Sequence, residues 1–262
     1  IARLLVSPTK ALVCSLLTLA MYLMTFESGN LTEDYCLPFI LLTLYLSASY
    51  FLKNSEPSKQ HPPAYSYIYG FCLGLVAFIR LNNCAAILAV ILIVACDLLS
   101  RRQYRALLRN TGLFLFGLLT VTLPVCIYFM LNHTFSEMID AAFLHNFKYA
   151  IYGAASRTPK FWGRYFLFCL PAFCLCLFSF VCRKQIGWPC FLLFICTSLF
   201  SASSISLGNT YLHYATLLVP FFGISAILLM KTVESKKSTS LFMAVFLFFS
   251  ISGYLSPFLY TQ

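Results

Sequence analysis

Long apolar stretches separated by short polar breaks run through the chain, and the breaks define its elements. A helix that crosses a bilayer core needs about 20 mostly apolar residues, with roughly 17 tolerated. Reading between charged or turn-rich breaks gives nine such segments, at about 8–26, 35–52, 65–80, 83–100, 110–132, 162–182, 188–207, 212–230 and 241–260. Only Arg80-Leu-Asn-Asn83 separates the third from the fourth, which predicts a tight helical hairpin with Asn82 and Asn83 in the turn or cap. Pro38 falls early in the second segment, where its missing N–H is expected to cost nothing. The pattern predicts an all-α fold, a polytopic transmembrane helical bundle of about nine spans, forming one integral-membrane domain over residues 1–262. No internal repeat is visible.

Composition removes the competing classes. Of 262 residues 60% are apolar and only 10% charged, against about 25% charged in a soluble domain. A soluble enzyme, a disordered tail and a disulfide-rich secreted scaffold are excluded. The net charge of +10 does not point to nucleic acid, because the basic residues lie between apolar stretches and build no basic face. The twelve cysteines form no C-x-x-C pair, and nearly all fall inside apolar stretches, where a thiol behaves as a small hydrophobe. Cys36 alone is expected at the aqueous boundary.

Charge instead sets orientation, since Lys and Arg collect in cytoplasmic loops. With the N-terminus of this chain cytoplasmic, the inner loops (about 53–64, 101–109, 183–187 and 231–240) and the inner ends of the spans hold thirteen basic and three acidic residues. The outer side, with loops about 27–36 and 133–161, holds five of each. Inner cations are explained by topology and by anionic lipid. Outer carboxylates at the mouth of an apolar bundle need another reason, because a desolvated carboxylate is costly unless paired or metal-bound. The chain begins at Ile1 without Met or a charged leader, so it is expected to lack its N-terminal part.

The outer loop Glu27-Ser-Gly-Asn-Leu-Thr-Glu-Asp-Tyr-Cys36 has two readings. Thr32 can cap the second span with Glu33 and Asp34 in its first turn, where the helix dipole favours negative charge. Alternatively Glu33 and Asp34 hold a divalent cation (Mg or Mn) that bridges to a phosphate. Arg80 is either an interface anchor or a contact to a lipid-linked phosphate, with Asn82 sharing its role. His213-Tyr214, at the outer end of the eighth span, is either interfacial packing or a substrate contact by hydrogen bonding. In the long loop, Ser136 to Tyr149 has helical spacing, with Met138, Ala141, Ala142, His145 and Tyr149 as one stripe. That helix either caps a site at the interface or simply connects. Arg157, Lys160 and Arg164 are phosphate partners or anchors. The sequons at Asn30 and Asn132 are read as coincidental.

Three stretches carry a family resemblance. Gly29-Asn-Leu-Thr-Glu-Asp-Tyr-Cys-Leu-Pro-Phe39 resembles the G-N-L-T-E-E-Y-x-L-P-F stretch of bacterial family-39-like glycosyltransferases of the GT-C class. Residues 69–83 resemble that family's G-x-x-x-G-L-x-F-x-x-R-x-N segment, and residues 208–220 its G-R-x-Y-x-H-Y-x-x-x-L-x-P segment, with Asn209 where the family often has Arg. The resemblance implies a GT-C-like bundle in the bacterial inner membrane. It would transfer a sugar from a polyprenyl-phosphate donor to a glycan, lipid or protein acceptor on the outer face. It further implies that the acid at Glu33 meets metal or donor phosphate and that His213 and Tyr214 face substrate; from the residues themselves, Asp34 joins Glu33 in its role, and Thr32, Arg80, Asn82 and Arg157 are the further candidates for binding substrate. The family's catalytic base, an Asp in a long first outer loop, would lie upstream of this chain. The alternatives are a transporter or flippase for a lipid-linked sugar, or a non-catalytic membrane subunit of a glycan-assembly system.

Overall fold

The computed structural model describes residues 1–26, 29–53, 60–148, 151, 157–206 and 211–233. The ninth apolar segment, Glu27, Tyr149 and residues 208–210 lie outside them. Among the described residues every regular element is helical and no strand occurs. In chain order these are α1 (Ala2–Leu5), α2 (Pro8–Thr25), α3 (Thr32–Lys53), α4 (Pro63–Ile79), a 3-10 turn (Leu81–Cys84) leading directly into α5 (Ala85–Ser100), and α6 (Tyr104–Leu131). Then come α7 (Phe135–Ile139), a π-helical stretch (Asp140–Leu144), α8 (Pro159–Phe168), α9 (Leu170–Val181), α10 (Arg183–Ile186), α11 (Trp188–Ser206), a 3-10 stretch (Leu212–Leu218) and α12 (Val219–Val233).

Six of these helices, counting each 3-10 stretch with the helix it enters, are long and apolar enough to cross a membrane. They become seven if α8 and α9 form one span bent by 49°. That is the architecture of a multi-pass membrane protein. The segments expected at 65–80 and 162–182 are the ones that differ. α4 is apolar but only 17 residues long. The other breaks at Cys169, next to Pro171, whose ring cannot continue the hydrogen-bond ladder.

α12 with its 3-10 entry is the most enclosed span and α6 the least. Phe194, Phe221 and Phe222 are wholly buried between α11, α12 and their neighbours. α6 instead shows Leu108, Leu115, Phe116, Leu119 and Leu131 to its surroundings, as a lipid-facing helix does. It is held by close backbone approach to α4. A Cβ on Gly70 would strike the Phe114 carbonyl, and one on Gly117 the Tyr67 carbonyl. The spacing Gly70-Phe-Cys-Leu-Gly74 thus serves helix crossing, the usual role of small residues four apart in membrane helices.

Two helix ends depart from their expected positions for one reason: a charge did not end the helix. α6 begins at Tyr104, with Arg105 and Arg109 exposed along its first turns. α3 begins at Thr32 and takes Glu33 inside. Pro38 is therefore the seventh residue of its helix. The Asp34 carbonyl receives no backbone N–H from it, so the missing donor is not free of cost as expected. Cys36, expected at the aqueous boundary, is fully buried against Ile40, Cys72 and Val76. All twelve cysteines are free thiols.

The stripe expected on residues 136–149 does not form one face. The π-helical turn at Asp140–Leu144 shifts the register, so Met138 is buried while Ala141 and His145 are exposed. Phe143, absent from the stripe, docks this segment edge-on to Phe78 with ring centroids 5.9 Å apart.

Candidate functional site

Three distant pieces of chain meet at one end of the bundle: the first turn of α3, the residue that ends α4, and the 3-10 stretch before α12. Each piece is shaped locally. α4 terminates because Arg80 adopts extended backbone, so its side chain leaves the helix end and reaches across to α3. Pro220 lacks an N–H, and the Thr216 carbonyl instead accepts from Val219 N–H, a 3-10 bond that keeps residues 212–218 in the tighter helix. This stretch is pinned to α2 by the Thr216 hydroxyl, which donates to Thr25 Oγ1 at 3.0 Å.

Arg80 is the hub. Its Nη1 donates to Glu33 Oε1 at 2.5 Å and to Thr32 Oγ1 at 3.3 Å, and its Nη2 donates to the Tyr214 hydroxyl at 2.7 Å. The guanidinium lies 4.5 Å from the Tyr214 ring centroid, so Tyr214 offers both oxygen and ring face. The Glu33 side chain is 1% exposed and that of Arg80 18%. In such surroundings a carboxylate stays charged only with a partner, and Arg80 supplies it. The Thr32 hydroxyl completes the shell by donating to Glu33 Oε2 at 3.0 Å. Thr32 is thus the first residue of α3 and a brace between Glu33 and Arg80, not the cap the sequence suggested.

Asp34 is turned elsewhere. Its Oδ2 accepts from Leu31 N–H at 3.3 Å, the backward arm of a capping box, and its Oδ1 accepts from the Tyr22 hydroxyl at 3.1 Å. Glu33 and Asp34 therefore have separate partners. Among the described residues no group of three or more His, Cys, Asp or Glu is arranged to hold a metal ion.

A small cavity of about 10 Å³ lies against the hub, lined by Glu33, Arg80, Asn82, Asn83, Ser204, Ile205, Tyr214 and Leu217. It has room for the centre of about one water. Asn82 reaches this cavity. The buried Asn83, expected only as a turn residue, lines it too; its Nδ2 has no oxygen or nitrogen partner and its amide lies against the Cys36 thiol. His213 stands one layer out, stacked on Tyr211 (5.6 Å, 9°) and edge-on to Tyr214 (4.5 Å, 80°). Arg157 is not brought to the hub. Its guanidinium lies over Phe161 (5.7 Å) and Trp162 (5.8 Å) at the start of α8.

A second polar cluster at the opposite end went unnoticed in the sequence. His61 is wholly buried between Tyr50, Tyr65 and Tyr69. Its Nδ1 is 3.3 Å from Asn110 Nδ2 and 3.5 Å from Ser66 Oγ. Burial pulls its pKa down from 6.5 to about 4, so the ring is neutral. Tyr50 in turn donates to Asp97 (3.1 Å), which also pairs with Arg101 (3.0 Å). The one sequence signal was a lone His before Pro62-Pro63, in a loop otherwise read as solvated.

No protein family, curated protein or solved structure was found to match this chain.

Proposed function

We propose that this chain belongs to a membrane glycosyltransferase of GT-C type that takes its sugar from a polyprenyl-phosphate donor at the end of the bundle bearing Arg80. The observation that carries the reading is the Glu33–Arg80–Tyr214 hub. Its three members come one each from the three stretches that resemble the family, Arg80 being 47 residues from Glu33 and 134 from Tyr214 in sequence. Packing alone gives no reason for those stretches to share one guanidinium.

The donor's tail stays in the bilayer, so its phosphate must be met by a cation at the membrane boundary. Arg80 offers a planar donor fork suited to phosphate oxygens. The hub cavity admits only about one water, so the phosphate binds by exchange, displacing the Glu33 carboxylate or the Tyr214 hydroxyl from Arg80. Asn82 and the amide of Asn83 are placed to take phosphate or sugar oxygens as the cavity opens. His213 and Tyr211 provide an aromatic wall beside it. Arg80, Asn82, Asn83 and Tyr214 bind and orient, and no proton transfer is assigned to them. No metal step is assigned.

The test is sugar transfer by membranes containing the protein, using radiolabelled polyprenyl-phosphate hexoses and pentoses. Arg80→Lys keeps the charge opposite Glu33 but loses the fork. Transfer, compared at equal folded fraction, should fall at least tenfold. Wild-type transfer by Arg80→Lys, or no transfer from any donor by the unaltered protein, overturns the reading. The 49° break between α8 and α9 favours a second reading, a flippase for a lipid-linked sugar, since transporters use interrupted helices. Movement of intact labelled lipid across proteoliposomes, without covalent transfer, would decide for it.

A further inference from the structure

The end of the bundle opposite Arg80 carries a feature that the glycosyltransferase reading does not use. The turn between α5 and α6, with the first turns of α6, holds Arg101, Arg102, Arg105 and Arg109. Two are committed: Arg101 to Asp97 at 3.0 Å, and Arg109 to Gln60 Oε1 at 3.3 Å. Arg102 and Arg105 are exposed and pair with no carboxylate among the described residues. Together with Gln60 and Tyr104 they line a concavity of about 360 Å³. Arg102 is held there by left-handed backbone, φ +57°.

One turn further along α6, roughly 6 Å by helix rise, a second cavity of about 210 Å³ opens between α4, α5 and α6. Its walls are mainly apolar, including Ile91, Val94 and Leu98. Thr111, which also lines it, is exposed on the outward side of α6. Asn110, 4% exposed, sits in its wall with a buried Oδ1 that has no hydrogen-bond partner. A basic pocket about one helical turn from an apolar slot matches an amphiphile carrying an anionic head and a hydrocarbon tail.

We infer that this end of the protein holds one anionic glycerophospholipid. Its phosphate lies on Arg102 and Arg105, and one acyl chain enters the slot between α4, α5 and α6. A free anion does not account for the slot, and diffuse attraction to a charged leaflet does not account for two cavities joined through one helix face. Under the orientation set by the basic residues, the lipid belongs to the cytoplasmic leaflet, away from the donor site. The inference does not depend on the transferase reading.

The test uses the whole protein reconstituted in vesicles of equal phosphatidylglycerol and phosphatidylcholine, re-extracted in mild detergent, with bound lipid counted by native mass spectrometry. We expect about one phosphatidylglycerol retained in preference to phosphatidylcholine. Retention should fall roughly fivefold for each of Arg102→Gln and Arg105→Gln, the effect of about one basic residue at an anionic surface. Arg183→Gln/Lys184→Gln removes twice the charge of either single variant, but outside the concavity, and should leave retention unchanged. Ala95→Phe, which fills the slot and spares the arginines, should lower retention at unaltered headgroup charge. Unfolding curves for every variant separate loss of lipid from loss of fold. Equal retention of both lipids, equal loss in the Arg183/Lys184 control, full retention in Ala95→Phe, or displacement by inorganic phosphate at millimolar concentration would each overturn the inference.

Discussion

The two ends of the bundle hold the same chemical trio in different connectivity. At one end a buried carboxylate, Glu33, meets Arg80 and the hydroxyl of Tyr214. At the other, Asp97 meets Arg101 and the hydroxyl of Tyr50. Arg101 is four residues from Asp97 on the end of the same helix, so that pair finishes α5 and forms as the helix forms. Arg80 is 47 residues from Glu33 and 134 from Tyr214, so its trio exists only when three segments have already docked. The local trio ends a helix; the distant one fixes the relation of three helix ends. Only the distant one also borders a cavity lined by a buried amide, that of Asn83.

The largest expected effect comes from cutting each trio at its arginine. Arg80→Leu leaves Glu33 buried and uncompensated, which costs about 3–5 kcal/mol. Arg101→Leu leaves Asp97, 8% exposed, with the Tyr50 hydroxyl as donor, and a smaller loss of about 1–3 kcal/mol is expected. Thermal unfolding in detergent micelles measures both. Equal losses would break the distinction between the local and the distant trio.

Next in size is a pH effect confined to the second cluster. The folded pKa of His61 is about 4 against 6.5 in the unfolded chain. Between those values the unfolded chain takes up a proton that the folded one refuses. Stability is therefore full above pH 6.5, falls as pH drops towards 4, and is flat below. The shift corresponds to about 3 kcal/mol. The groups around the ring are Tyr50, Tyr65, Tyr69, Ser66 and Asn110, all neutral in this range, so none offsets it. His61→Gln should remove that slope between pH 4 and 6.5, whereas Arg80→Lys should keep it.

Much of this was legible from the sequence, and the failures have physical causes. Apolar periodicity located eight segments that are helical, since a bilayer-facing helix must be apolar along its whole length. Charges were read as breaks, which is valid only for a charge without a partner or an exit. Glu33 has Arg80, and Arg105 and Arg109 reach solvent, so α3 and α6 run through them. Arg80, Thr32, Glu33, Asn82 and Tyr214 were identified one at a time and do meet. That they meet at one guanidinium depends on which helix ends are neighbours, and spacing along a chain does not contain that. Arg157 was included for its charge, yet its aromatic neighbours four and five residues on hold it apart from the hub. His61 and Asn83 were missed because their burial arises only on packing.

A smaller effect is expected at the tyrosines. Removing the hydroxyl of Tyr214 takes one acceptor from a charged donor, worth about 1.5–3 kcal/mol, and Tyr50→Phe removes the matching donor from Asp97. If the hub binds phosphate by exchange, only Tyr214→Phe should also change the apparent affinity for a polyprenyl-phosphate donor, since a weakened hub yields its arginine more readily. KM for donor, compared at equal folded fraction, checks this. Parallel shifts in both variants would remove the functional distinction between the ends.

The smallest and sharpest comparison lies within α3, between neighbouring carboxylates. Glu33 faces inward to Arg80, while Asp34 returns to Leu31 N–H and the Tyr22 hydroxyl. Asp34→Ala loses a capping bond and a tyrosine contact, and about 1 kcal/mol is expected. Because Asp34 neither lines the cavity nor touches Arg80, sugar transfer should be unchanged once the folded fraction is matched. Transfer abolished in Asp34→Ala with stability intact would mean that this carboxylate turns towards donor or metal during turnover. Glu33 and Asp34 would then act as the pair that their adjacency in sequence suggested, and the separate assignments made from their hydrogen bonds would fail.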